Sequence, residues 1–339
     1  MEKQPSFSRF VGGSSEQIAT LKQETEKASL LSGDEFFGEE LLIPTEEEKR
    51  LIGIAVEYAN GIAARYGSSR TVHPERVFLL QEGGVERLTD GEIAAGINSR
   101  FSQIIGVEKK VSPIFFAMTV VHEACHGASY SSAQVKEDGS NLPYRSGIAM
   151  RELSGPSFYF KKAEEAIVTM MAQRFHDEVL AHDPLYKDEI ARLNEIKTWL
   201  CAHIIQKFSV EKHNNLLRLI DDIVALPNNE DLHEVIIDDS YNNDYKFGYF
   251  YGGYKEMIES DHVLRERGEE RLAFDAVVQR IVQQSGGTVM KDELFDDFAR
   301  AHFSGNYLPL ARKIEKILGT GSFRSIAAEL GEVYVQEGG

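Results

Sequence analysis

The sequence predicts an α+β fold: a small mixed sheet packed on a helix that carries an H-E-x-x-H motif, followed by a mostly helical C-terminal half. Three observations predict it. Short β-type runs punctuated by glycine cluster between residues 76 and 107. A capped and almost wholly apolar helical stretch begins at Ser112-Pro113. From about residue 161 onward, apolar residues recur at helical spacing nearly to the end.

Taken in order, residues 1–40 are polar, acidic and dotted with glycine, and are expected as a mobile or loosely docked arm. Thr45 can cap a helix, with Glu46, Glu47 and Glu48 in the first turn where the dipole favours negative charge. Leu51, Ile52, Ile54, Ala55, Tyr58, Ile62 and Ala63 then keep helical spacing until Gly67. Arg76–Leu80 reads as a strand, and Ile93–Arg100 and Gln103–Val107 as two more. The helix opened by Ser112 and Pro113 runs through Ile114 to Gly127 and is apolar nearly all round, so burial on several sides is expected. Residues 131–146 read as a polar loop, Ser146–Arg151 as a strand and Gly155-Pro156 as a turn. Helices are expected at about 161–176, 186–207, 211–225, 249–260, 269–284, 291–303, 306–318 and 322–331. Residues 261–339 form a helical C-terminal cap or subdomain in this reading, which leaves 41–260 as the central domain.

Charge excludes some partners. The 339 residues carry 37 Lys and Arg against 54 Asp and Glu, a formal net charge of −17. Such a chain has no global attraction for nucleic acid or an anionic membrane. The N-terminus lacks the basic start and apolar stretch of a signal peptide. The longest apolar run, Ile114–Val121, is far shorter than the roughly 20 residues that cross a bilayer. A soluble, cytoplasmic protein is therefore expected, with no nucleic-acid or membrane partner. The two cysteines, Cys125 and Cys201, cannot build a disulfide framework and read as small buried hydrophobes.

The chemistry lies inside the apolar helix, at His122, Glu123 and His126. Burying three ionisable groups is expensive unless they have partners or a metal. Histidines four apart lie on nearly the same helical face and can share one Zn²⁺ at about 2.0–2.1 Å each. Glu123 sits one step round from His122. There it can take a proton from a water that the ion acidifies, without filling a coordination position. A catalytic zinc needs a third protein ligand, and a candidate lies in the segment Ala163-Glu164-Glu165-Ala166-Ile167-Val168-Thr169.

Here the chain resembles the gluzincin zinc metallopeptidases, the thermolysin-like clan, and most closely their small members, the minigluzincins. In that group the third ligand is a Glu in a motif of the form N-E-A-I-S-D on a second helix. Residues 164–169 line up with this form, so the resemblance assigns the ligand role to Glu165. Two positions depart from it: Glu164 stands for Asn, and Thr169 stands for the Asp that orients a zinc-bound imidazole. A hydroxyl would do that more weakly, unless another carboxylate supplies the contact. Periodicity alone selects Glu164, which lies nearer the centre of the stripe Ala163, Ile167, Met170 and Met171. The motif is given the greater weight, with Val168 and Ala172 as a second packing face.

The resemblance implies that residues 41–260 are a catalytic domain with one Zn²⁺ per chain, acting on a peptide or protein substrate with Glu123 as general base. It also implies a donor for the oxyanion, a Tyr or His after the third ligand. Tyr241, Tyr245, Tyr249, Tyr251, Tyr254, His203, His213, His233 and His262 are candidates. Two other functions use the same residues: a non-catalytic zinc-binding module that recognises a peptide or protein, and a zinc hydrolase of a non-peptide amide or ester.

Overall fold

A computed structural model describes residues 7–89, 95–99, 101–109, 113–136, 138, 140–152, 157–188, 190–191 and 262–333. The chain is mixed α and β, with two small sheets and a helix-rich remainder. It divides into two compact units, one of Met1–Lys109, Ala117–Gln173 and Glu270–Gly339, the other of Lys110–Phe116 and Arg174–Glu269. In the second unit the described residues include the single 3-10 turn Leu180–His182, and His176 Nδ1 lies 2.8 Å from Asp177. Both sheets and the H-E-x-x-H residues belong to the first.

The four-stranded sheet is made of β2 (Leu41–Leu42), β3 (Val77–Leu80), β4 (Gly96–Ser99) and β5 (Ile104–Glu108), in the order β2-β3-β5-β4. β3 and β5 are parallel, with Val77 opposite Ile105, and the outer pairs are antiparallel. Every residue of β5 is buried, as a central strand covered on both faces requires. β3, β4 and β5 fall where the β-type runs place them, whereas β2 was not anticipated. A short helix, α4 (Gly84–Leu88), follows β3.

The six-stranded sheet was not anticipated. It orders β1 (Arg9–Val11), β6 (Ser131–Val135), β7 (Asn141–Ser146), β8 (Ala149–Arg151), β9 (Ser157–Tyr159) and β10 (Glu332–Val333) as β1-β6-β7-β8-β9-β10. Residues 131–146, read as a polar loop, thus hold two paired strands, and the strand expected at 146–151 is broken by a turn at Gly147. The physical reason is non-local. S-S-A-Q-V has little alternation of its own, but it pairs in parallel with Arg9–Val11 and buries Ala133 and Val135 under Phe7 and Leu21. The same contacts correct the expectation of a mobile or loosely docked arm for residues 7–40. Phe7 is buried, with its ring edge-on to Phe101 at 4.8 Å, and Phe37 is buried beside Leu80. Local composition cannot reveal apolar partners that lie far along the chain.

Local capping explains the N-terminal helices. In α1 (Ser15–Ala28), α2 (Gly33–Phe37) and α3 (Glu46–Arg65), the preceding Ser14, Ser32 and Thr45 each form a capping box, with Gln17, Glu35 and Glu48 respectively. α5 (Pro113–Ala128) is buried on several sides, as its apolar circumference predicts. α6 (Lys161–Glu178) follows β9. The later helices are α7 (His262–Gln284), α8 (Lys291–Ser304), α9 (Leu308–Leu318) and α10 (Ser322–Glu329). The helices from Glu270 onward join the first unit rather than standing as a separate cap: Phe160 meets Phe298 at 6.3 Å, and Phe298 meets Phe274 at 5.0 Å. The helices expected at 186–207, 211–225 and 249–260 lie outside the described residues, apart from residues 186–188, 190 and 191. Among the described residues no helix is long and apolar enough to cross a membrane.

Because Phe7 closes the cluster under β1 and β6, Phe7→Ala should lower stability by about 3 kcal/mol in urea unfolding. A change below about 0.5 kcal/mol would show that the N-terminal strand is undocked in solution.

Candidate metal centre

α5 supplies His122, Glu123 and His126 from one turn and the step beside it. Its C-terminal end is tied down from outside: Ser68 donates to the Ala128 carbonyl at 2.7 Å, and Arg70 Nε donates to the Gly127 carbonyl at 3.2 Å. The Ser129 hydroxyl donates to the His126 carbonyl at 2.7 Å. These bonds satisfy carbonyls that the last turn leaves without helical partners. The two imidazole rings stand 4.9 Å apart, inclined by 69°.

α6 brings two adjacent carboxylates to opposite edges of the His126 ring. Glu165 Oε2 is 3.4 Å from Nε2 of His122 and 3.4 Å from Nε2 of His126. Glu164 Oε1 is 3.3 Å from Nδ1 of His126. Glu164 also accepts a hydrogen bond from the Ser146 hydroxyl, and its Oε2 lies 3.3 Å from Lys161 Nζ. The same ammonium donates to Glu165 Oε1. The Glu164 side chain is 1% exposed and that of Glu165 is 24% exposed, so only Glu165 faces space that solvent can enter. The tension between the two glutamates resolves as a difference of place, with Glu165 against both Nε2 atoms and Glu164 behind one ring.

The donor set fits a metal ion. One ligand atom each from His122, His126 and Glu165 lie within 4.8 Å of one another, the one such group among the described residues. A tetrahedral site with bonds of about 2.05 Å has edges of about 3.4 Å. Both Glu165-to-histidine separations already equal that edge. His126 Nδ1 is buried and makes no well-aligned hydrogen bond, although Glu164 Oε1 faces it at 3.3 Å.

Charge accounts for the close approach of these side chains. Burial opposes a proton on His126, but Glu165 and then Glu164 outweigh it and push its pKa up to about 10. Burial also opposes a charge on Glu165, yet the His126 cation, hydrogen bonds from both imidazoles and the Lys161 ammonium hold its carboxyl well below the usual carboxylate range. A proton thus holds together the donors that a divalent ion would otherwise gather.

No protein-family model, curated protein or solved structure matches this chain.

Glu123 stands apart from this donor set. It is buried, and its backbone carbonyl accepts a hydrogen bond from Asn98 Nδ2 at 2.9 Å. A Cβ at Gly96 would lie 2.7 Å from Glu123 Cγ, so only glycine lets the β4 backbone come this close to the carboxylate. Cys125 is fully buried; that burial first, and Glu123 second, push its thiol pKa far up, so no thiolate is available near neutral pH. Cys201 and the oxyanion-donor candidates Tyr241, Tyr245, Tyr249, Tyr251, Tyr254, His203, His213 and His233 lie outside the described residues. His262 begins α7.

Lys161, Ser146, Asn98 and Gly96 were not legible as parts of the site. Lys161 carried the one usable signal, a cation three and four residues before Glu164 and Glu165 on a helix. The other three reach the site by tertiary contact alone.

The His126 pKa is pushed up to about 10, so a divalent cation taken up at its Nε2 would have to displace a proton. Zinc affinity should therefore rise about tenfold per pH unit between about pH 7 and pH 9, with one proton released per ion. The folded-state pKa is raised, so the stability that this proton contributes to the metal-free protein is complete below the unfolded value of about 6.5 and is lost as pH rises through about 10. The zinc-induced increase in Tm should grow with pH over that window. Calorimetric titration in buffers of different ionisation enthalpy checks the proton count.

Proposed function

We propose that this chain is a zinc-dependent peptidase of the gluzincin type, in which His122, His126 and Glu165 hold one Zn²⁺ and Glu123 is general base and then general acid. One observation carries the reading: Glu165 Oε2 stands 3.4 Å from the Nε2 atoms of both histidines, while the intervening Glu123 stays out of the donor set. Two imidazoles and one carboxylate are a donor set suited to zinc with a position left for chemistry.

Zinc held there supplies a Lewis acid that brings the pKa of water toward neutrality and polarises a carbonyl. The Glu123 carboxylate, which follows His122 directly and is not one of the three donors, would accept the proton of the attacking water and pass it to the leaving amine. Glu164, backed by the Ser146 hydroxyl and the Lys161 ammonium, orients the His126 ring and sets which nitrogen is available. This gives the Glu164 departure from the family motif a role, as the carboxylate behind an imidazole. Lys161 occupies Oε1 of Glu165 and leaves Oε2 toward the histidines.

The hydrogen bond from Asn98 and the close approach of Gly96 support a packing of the small sheet on the H-E-x-x-H helix. They also favour a peptide over other amides. β4 is the edge strand of its sheet and runs beside Glu123. An extended peptide adding to that edge would lie along the general base.

Elemental analysis of the chain purified with its native metal should find one zinc. Glu123→Gln should keep that zinc and lower peptide turnover about 10²–10⁴-fold. Glu165→Gln should lose the metal, whereas Glu164→Gln should bind it about 10–100-fold more weakly. Absence of zinc in the wild type would sink the assignment. Zinc without Glu123-dependent cleavage of a broad peptide library would leave a binding module.

A further inference from the structure

The residue that opens α6 has no side-chain acceptor. Phe160 takes the N-cap position: its carbonyl accepts the first helical hydrogen bond, from the Glu164 N–H at 3.0 Å, but its ring has no oxygen to accept one in return. Phe160 also holds φ at +59°, a left-handed conformation that a bulky residue adopts only when its surroundings impose it.

The surroundings that impose it are the C-terminal segment. The Phe160 N–H donates to the Ala327 carbonyl at 2.9 Å, and the Lys162 N–H donates to the Leu330 carbonyl at 2.9 Å. Two of the N–H groups that a helix start leaves unsatisfied are thus capped from a distant part of the chain. β10 then pairs with β9 just before Phe160, with Glu332 opposite Phe158. Gly331 permits that approach, since a Cβ there would lie 2.4 Å from the Phe158 carbonyl oxygen. The Phe160 ring is buried against Phe323 at 5.2 Å and Phe298 at 6.3 Å.

We infer that residues 326–332 are a positioning brace for the metal centre, acting through Phe160 as the positioning residue. The inference rests on the reading of Glu165 as a metal ligand. Adjacent residues of a helix point about 100° apart. Glu165 meets both Nε2 atoms and Glu164 meets Nδ1 of His126 only at one rotation of α6. A start displaced by one residue would put Glu164 in the place of Glu165 with Ala163 behind the ring, or Glu165 behind the ring with Ala166 facing the two Nε2 atoms. The brace fixes that start by gripping the backbone at residues 160 and 162, four and three residues before Glu164 and Glu165, respectively, so the C-terminal segment decides which carboxylate reaches the ion.

The test uses the full chain and three variants, Gly331→Ala, Phe160→Gly and Phe160→Ala. Zinc affinity is read by competition with a chromophoric chelator, metal geometry by the visible spectrum with Co²⁺, and the brace by amide exchange at Lys162. Gly331→Ala should speed exchange at Lys162, weaken zinc about tenfold and shift the cobalt bands, while thermal unfolding stays cooperative. Phe160→Gly, which relieves the positive φ, should bind zinc more tightly than Phe160→Ala, which keeps it. Fast exchange at Lys162 with wild-type zinc affinity and cobalt spectrum would overturn the brace alone, as would a Phe160→Ala that binds like wild type. A wild-type chain that takes neither zinc nor cobalt would overturn the reading of the site together with the brace.

Discussion

The imidazole of His126 lies between two carboxylates, Glu165 at Nε2 and Glu164 at Nδ1, and the rest of the centre follows from that contact. Two acidic groups held this close with little water need compensating charge. Lys161 supplies one positive charge, shared between them. The remaining deficit is met by a proton on His126 in the metal-free state, which is why that ring keeps its proton far above the ordinary histidine range. A divalent cation would meet the same deficit through three converging donors. Proton and metal would thus be alternative occupants of one electrostatic need, with affinity for the second coupled to loss of the first.

The two sheets support different parts of this arrangement. The four-stranded sheet presents Gly96 and Asn98 of β4 to Glu123, on the side of the proposed general base. The six-stranded sheet supplies Ser146 from β7 to Glu164, and its β9 leads into the start of α6. Glu123 and Glu164 therefore meet strands of different sheets.

Much of the helical framework was legible because its causes are local. Thr45 with Glu48 announces α3 by a capping box between residues three apart. The apolar circumference of α5 announces burial, and the four-residue spacing of His122 and His126 announces a shared face. The β6–β7 pair was not legible, because Ser131 and Ser132 are buried polar residues and the apolar groups that cover Ala133 and Val135 come from Phe7 and Leu21. The N-terminal segment was misread for the same reason, since its composition is polar overall and only its few aromatic and aliphatic anchors are buried. Lys161 was half legible: its spacing to the glutamates is local, but its importance depends on where they point.

The sequence by itself determined the pair of histidines, the glutamate between them and the helix that holds all three, since each depends on contacts within one or two turns. It narrowed the third ligand to two neighbours, with the motif resemblance favouring Glu165 and periodicity Glu164, because helical periodicity reports which face is apolar and not what stands opposite. Tertiary structure alone decided between Glu164 and Glu165 as the group facing both Nε2 atoms. The rotation of α6 is set by backbone carbonyls of the C-terminal segment that meet its first turn, and a hydrogen bond between residues so far apart leaves no periodic trace in the chain.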